Sequence, residues 1–317
     1  MSTFWVACAV IVSLYVAFWH YFKATTWCRS QTCLIGKTAI VTGANSGIGY
    51  ETALDFAKRG ARVILACRDK NRAEVAKMKI VKETDNENVV VKIVNLASFD
   101  SVRDFAKNIN ETEERLDILV NNAGLGGVKD DKSDDGLLLV MHVNYLSAFL
   151  LTYLLIDLLK KTGPSRVINV SSIAARFTNF DVDLINNYTG AYTIYANSKL
   201  CNLLFTMELA KRLKETEITT YCVNPGVVQT EIFRHVKGYS KVFINIFKED
   251  FFKTCEEGAQ TTIYTAVTKN IEEYNGCLFD NCKVVDTYPT ADVKGLPKKL
   301  WEKSVKFVEL KPEEIMY

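Results

Sequence analysis

Seven short apolar runs, separated by helix-like segments, constrain this chain more than any other feature. They are Thr38–Thr42, Arg62–Cys67, Val89–Leu96, Ile118–Val120, Arg166–Val170, Thr219–Val223 and Gly276–Phe279. All but Gly276–Phe279 are rich in β-branched residues, and the runs are near-continuously apolar. A strand buried on one face alternates apolar and polar residues, whereas one buried on both faces does not. The pattern predicts a mostly parallel sheet covered on both sides, a doubly wound, Rossmann-type α/β fold. With 317 residues, 48% of them apolar, the chain can bury one such core. The segment Val143–Leu159 is apolar almost all round. It must be buried, either in the domain or against a partner subunit, which leaves room for a homodimer.

The N-terminus differs in kind. From Phe4 to Phe22 there is no Lys, Arg, Asp or Glu. As a helix this run rises roughly 28 Å, close to the hydrocarbon thickness of a bilayer. Trp5, Trp19, Tyr21 and Trp27 lie near its ends, where an aromatic belt would sit. A signal peptide or a buried helix is the alternative, but no basic residue precedes the run, as one does in most signal peptides. The expectation is a single-pass anchor over residues 1–22 that contacts membrane lipid. A polar connector follows over 23–36, then one domain over 37–317. Lys23, Arg29 and Lys37 all follow the run, so the domain is expected to face the cytoplasm. A secreted protein with a cleaved leader is the rival, and glycosylation of the sequons at Asn110 or Asn187 would reveal it.

Composition excludes several classes. The net charge is +2, with no basic stripe for nucleic acid. Nine cysteines are scattered without a disulfide framework, which suits a reducing compartment. None of the three His has a triad or metal spacing, no G-x-S-x-G elbow occurs, and Cys277 with Cys282 is a poor zinc pattern, so no metal is expected.

The first strand runs straight into Thr42-Gly43-Ala44-Asn45-Ser46-Gly47-Ile48-Gly49, and a helical pattern follows from Tyr50. In that setting a glycine-rich turn has physical meaning. Gly43 permits a tight turn, Gly47 lets a pyrophosphate approach the backbone, and Gly49 allows helix–strand packing. The helix N-terminus offers free N–H groups to phosphates. The second strand ends at Ala66-Cys67-Arg68-Asp69. Arg68 there would accommodate a ribose 2′-phosphate, favouring NADP(H) over NAD(H), while Asp69 reads as the N-cap of the next helix.

Further along, Tyr195-Ala196-Asn197-Ser198-Lys199 places a phenol and an ammonium four residues apart, on one helical face. An unperturbed phenol titrates near 10, too high for a base near neutrality, and a neighbouring positive charge lowers it.

The T-G-x-x-x-G-x-G turn followed by Y-x-x-x-K resembles the short-chain dehydrogenase/reductase family, over Lys37 to about Cys282. The resemblance implies a nicotinamide-dependent oxidoreductase acting on an alcohol or carbonyl. It implies catalytic roles for Asn144, Ser172, Tyr195 and Lys199: Asn144 keeps a helix irregular and helps hold a relay water, Ser172 orients the substrate oxygen, and Lys199 binds the nicotinamide ribose. It implies cofactor contacts at Gly43, Asn45, Ser46, Gly47, Ile48, Gly49 and Arg68, at Asn95-Leu96 near the adenine, and at Asn122-Ala123-Gly124. Tyr195, Lys199 and the turn Pro225-Gly226 with Thr230 border the nicotinamide in the same way. Asn144 and Ser171 also have purely structural readings, as a buried polar side chain and a turn serine.

The anchor, the A-C-R-D strand end, Ile168–Ser172 and the segment Gly276–Cys282 resemble the microsomal retinol dehydrogenase subgroup. That implies an endoplasmic reticulum membrane and a small apolar substrate: a retinoid, isoprenoid, fatty or steroid-like alcohol or carbonyl. Tyr145-Leu146-Ser147-Ala148 departs from the subgroup, where a His and a Gly are common. This leaves the retinoid open and the reaction class intact. A substrate lid is expected near 231–255, where Ile232-Phe233, Val242–Phe247 and Phe251-Phe252 interleave with Arg234, Lys237, Lys241 and Lys248. Leu300, Trp301, Val305 and Val308 form an apolar stripe expected to pack beside it. The rival class is a catalytically silent, membrane-bound dinucleotide-binding scaffold or redox sensor.

Overall fold

The computed structural model describes residues 2–230, 250–311 and 314. Among these, eight strands form one sheet in the order β3-β2-β1-β4-β5-β6-β7-β8. They are β1 Thr38–Thr42, β2 Arg62–Cys67, β3 Val89–Ile93, β4 Ile118–Asn121, β5 Ser165–Val170, β6 Ile218–Asn224, β7 Leu278–Asp280 and β8 Lys283–Val285. The first seven are parallel, and β8 pairs antiparallel with β7. All seven expected strands are present. β3 stops three residues short, because Asn95 turns the chain: its side-chain oxygen accepts from the Ala97 N–H at 3.2 Å. The added strand, β8, is three exposed residues at the sheet edge, too short to carry a pattern.

Alternate residues of the inner strands feed two cores. Ile40, Leu119 and Val167 face one layer, while Val41, Val120 and Ile168 face the other. This explains the continuous apolar runs: both faces of each strand are covered. One layer holds α2 (Gly47–Lys58), α3 (Lys70–Thr84) and α8 (Cys255–Val267). The other holds α4 (Phe99–Thr112), α5 (Leu139–Leu154), α6 (Ile156–Thr162), α7 (Ala191–Arg212) and α9 (Leu296–Phe307). The apolar segment Val143–Leu159 is not one helix. It bends by 52° between α5 and α6, and His142–Leu146 within α5 forms a π turn. It is buried within the domain, partly under α9. Trp301 packs 4.9 Å from Phe149 and 5.9 Å from Phe205, ring centroid to centroid.

A helix, α1 (Ser2–Lys23), precedes the sheet, with Phe4, Trp5, Val10 and Leu14 exposed. The expected span Phe4–Phe22 is not established. Among the described residues no single helix is long and apolar enough to cross a membrane, and the apolar part of α1 is Phe4–Ala17. Beyond it, Trp19, His20 and Tyr21 each add a polar atom. The stretch after α1 lies along the domain. The Cys28 N–H donates to Gln260 at 3.0 Å, and Arg59 donates to the carbonyls of Ser30 and Thr32 at 2.7 and 3.1 Å. Most of the expected lid, 231–249, lies outside the described residues.

Candidate active site

Strand order reverses at β1, which has β2 on one side and β4 on the other, so a crevice opens at the carboxyl ends of these strands. The glycine turn lines it. Gly43 has φ +67°, and a Cβ there would lie 3.0 Å from the Ala123 Cα. At Gly49 a Cβ would come within 2.4 Å of the Asn122 amide nitrogen and 2.6 Å of the Gly43 carbonyl oxygen. Only glycine lets the turn lie this close to the end of β4. The turn is also pinned: Thr42 Oγ1 accepts from the Asn122 and Ala123 N–H groups at 2.9 and 3.0 Å, and Asn122 Nδ2 donates to the Thr42 carbonyl at 2.8 Å. Ser46 is the extended N-cap residue of α2, and Ile48 packs on the core beneath. The Thr230 methyl stands 3.6 Å from where a Gly47 Cβ would be, so Thr230 and the turn share one side of the crevice. These features form a cradle that side chains would fill, and it fits a dinucleotide.

At the end of β2, Arg68 is exposed, and Asp69 caps α3 by accepting from the Arg72 N–H at 3.0 Å. The preceding Cys67 is buried below the turn, and burial pushes its thiol up to about 11, so it is unreactive near neutrality. Asn95 spends its side-chain oxygen on the local turn. The Leu96 carbonyl accepts from Ser147 at 2.7 Å, and Leu96 itself is core. Pro225-Gly226 follows β6, with the Gly226 N–H donating to Asn224 at 3.1 Å.

Tyr195, Ser172, Lys199 and Asn144 converge. Ser172 lies two residues past β5 and is hydrogen-bonded to the Tyr195 phenol. The Lys199 ammonium lies 6.0 Å from the centroid of the Tyr195 ring and donates to the Val170 carbonyl at 2.9 Å. Gly124 makes room: a Cβ there would sit 3.3 Å from Lys199 Nζ and 3.6 Å from Asn144 Oδ1. Asn144 lies in the π turn with its amide fully used. Its Oδ1 accepts from the Leu125 N–H at 2.7 Å, and its Nδ2 donates to the Leu125 carbonyl and to Ser198 Oγ, both at 2.9 Å. Ser171 has the structural part, donating to the Lys199 carbonyl at 2.7 Å.

Burial dominates the electrostatics. It lowers Lys199 to about 8 and raises Tyr195, the latter opposed by the Ser172 hydrogen bond. The phenol is therefore not held low by an adjacent charge, as the Y-x-x-x-K spacing alone suggests. Two neighbours were missed in the sequence. Ser198 bridges Asn144 and the Tyr195 carbonyl, and Asn202 donates to the carbonyls of Asn144 and Val170 at 3.1 and 3.2 Å. Their signal was legible, since positions 195, 198, 199 and 202 share one helical face. The cavity of about 410 Å³ lined by Met207, Cys277 and Val285 lies elsewhere, at the β7–β8 edge.

The short chain dehydrogenase family model matches residues 37–239. Bovine (Bos taurus) dehydrogenase/reductase SDR family member 13 is 40% identical over 311 residues, covering 96% of this chain and 82% of that protein. Retinol dehydrogenase 12 of Homo sapiens is 40% identical over 291 residues, 90% of each chain. Among solved structures, an uncharacterized protein from Mycobacterium paratuberculosis superposes with a TM-score of 0.72 at 28% identity, covering 90% of this chain and 99% of that one. An Escherichia coli CFT073 protein described as a short chain dehydrogenase, complexed with NADPH, superposes with a TM-score of 0.63 at 25% identity, covering 80% and 99%.

Proposed function

This chain belongs to the short chain dehydrogenase family and is an oxidoreductase, and from that premise we propose that it interconverts an apolar alcohol and its aldehyde or ketone with NADP(H). The observation that carries this reading is the meeting of the Tyr195 phenol, the Ser172 hydroxyl and the Lys199 ammonium beside the glycine cradle. The residues that would hold the cofactor are those of the Gly43–Gly49 turn, Arg68, Asn95-Leu96, Asn122-Ala123-Gly124, Tyr195, Lys199, Pro225-Gly226 and Thr230. When bound, the nicotinamide supplies or accepts a hydride at the substrate carbon. Ser172 orients the substrate oxygen by a hydrogen bond. Tyr195 gives that oxygen its proton in reduction and removes it in oxidation. Burial keeps the phenol protonated near neutrality, which suits the reducing direction. Lys199, easily deprotonated at about 8, replenishes the phenol. Asn144 holds the turn that brackets both.

An apolar substrate is supported by the segment between Ser172 and Tyr195, where Phe177, Leu184, Tyr188 and Tyr192 are all exposed. The retinol dehydrogenase relatives point the same way. Arg68 and the NADPH-complexed structural neighbour support NADP(H). The exposed apolar side chains of α1 support lipid contact. Lys23, Arg29 and Lys37 after the apolar run support a single catalytic domain, 37–317, on the cytoplasmic side, and the resemblance to microsomal retinol dehydrogenases supports the endoplasmic reticulum. The direct test is NADPH oxidation with a panel of apolar aldehydes, decanal and retinal among them. Turnover with at least one, lost by a factor of a thousand or so in Tyr195→Phe, is expected. Equal inertness of both proteins across the panel would overturn the reading.

A further inference from the structure

The π turn His142–Leu146 is gripped from the C-terminal helix. Tyr145 is fully buried, and its hydroxyl lies 2.6 Å from Ser304 Oγ of α9. Ser304 has one proton, and it is directed to the Leu300 carbonyl at 2.8 Å, so Tyr145 is the donor in this pair. The next residue back is Asn144, whose Nδ2 donates to Ser198 Oγ at 2.9 Å. Ser198 in turn donates to the Tyr195 carbonyl at 2.7 Å. An unbroken run of contacts thus links Ser304, Tyr145, Asn144, Ser198 and Tyr195. A π turn has poorer backbone geometry than the α-helix around it and persists where side chains hold it. Asn202 holds this one at the Asn144 carbonyl, and Ser304 holds it through the Tyr145 hydroxyl. α9 lies beyond residue 239, where the family match ends.

We propose that Tyr145 and Ser304 are a positioning pair that fixes the π turn, so that a helix outside the matched segment sets the geometry of proton transfer at Tyr195 and Lys199. The proposal rests on the oxidoreductase reading above. Tyr145→Phe is the informative change. The ring keeps its packing against Phe149 and Phe205, and Ser304 keeps its bond to Leu300, so no buried group is orphaned.

The experiment compares wild type, Tyr145→Phe, Ser304→Ala and the double variant, using NADPH and the best aldehyde of the panel. We expect kcat to fall about five- to tenfold in Tyr145→Phe, the worth of one hydrogen bond. The alkaline limb of the pH profile moves, while KM for NADPH stays within about twofold. The double variant is no slower than Ser304→Ala, because both changes remove one interaction. An unchanged kcat and pH profile in Tyr145→Phe, with Tyr195→Phe inactive, overturns the positioning role alone. Full activity in Tyr195→Phe overturns the underlying reading and the proposal with it. If Tyr145→Phe is not recovered folded, Ser304→Ala is read by the same kcat and pH criteria.

Discussion

Lys199 and Tyr195 face one another with the ammonium 6.0 Å from the ring centroid, yet the ammonium is bonded to the Val170 carbonyl at the end of β5. The helix carrying both groups is thereby tied to the strand carrying Ser172. This tie is what turns a spacing of four residues into a site.

Burial lowers Lys199 to about 8, so the cofactor-free enzyme loses this charge above that pH. The profile of kcat/KM, which reports the free enzyme, is expected to fall on the alkaline side with an apparent pKa near 8. Residual activity of Lys199→Arg, whose charge persists, should lack that limb. The sign for stability is opposite. Between about 8 and the unfolded value near 10.5 the unfolded chain binds more protons, so stability rises with pH. A limb that survives in Lys199→Arg would assign it to another group.

How much of this was readable beforehand follows a simple division. The strands, the glycine turn, the Asp69 cap and the Tyr195–Lys199 face are local patterns, and each reappears where the spacing puts it. The bend between α5 and α6 is not local. Nothing within the largely apolar run Val143–Leu159 marks Leu155, where the chain bends inside the core it shares with the sheet and α9. The raised phenol was missed for a related reason: Y-x-x-x-K reports a neighbour, whereas burial depends on the whole fold.

Arg68 is exposed at the end of β2. If it meets a 2′-phosphate, Arg68→Glu should lower the NADPH/NADH ratio of kcat/KM by about 10- to 100-fold, the worth of a charged hydrogen bond. Steady-state kinetics with the two cofactors decides the matter, and an unchanged ratio removes Arg68 from the cofactor reading.

His142 is fully buried in the π turn, with Nδ1 2.8 Å from Ser133 Oγ, and burial lowers it to about 4. Its folded value lies below the unfolded 6.5, so the unfolded chain binds more protons between those limits and stability falls as pH drops through that window. The loss should reach about 1.6 kcal/mol from pH 6.5 to 5. Urea unfolding at several pH values measures it. His142→Gln should flatten the slope, and a slope unaltered by the substitution would refute the assignment.

Trp301 seals α9 onto α5 and α7 and stacks 4.4 Å below the Arg212 guanidinium. Trp301→Ala should cost about 3–5 kcal/mol in denaturant unfolding. A loss under about 1 kcal/mol would mean that the surrounding aromatics close the gap.

The stretch laid along the domain after α1 has a practical consequence for where a self-sufficient folding unit starts. A version trimmed to Lys37, the first matched residue, would strip Arg59 of two carbonyl partners and delete Leu34, a core side chain only 5% exposed. A version beginning just after α1 keeps them, and is the truncation to choose for crystallisation or calorimetry.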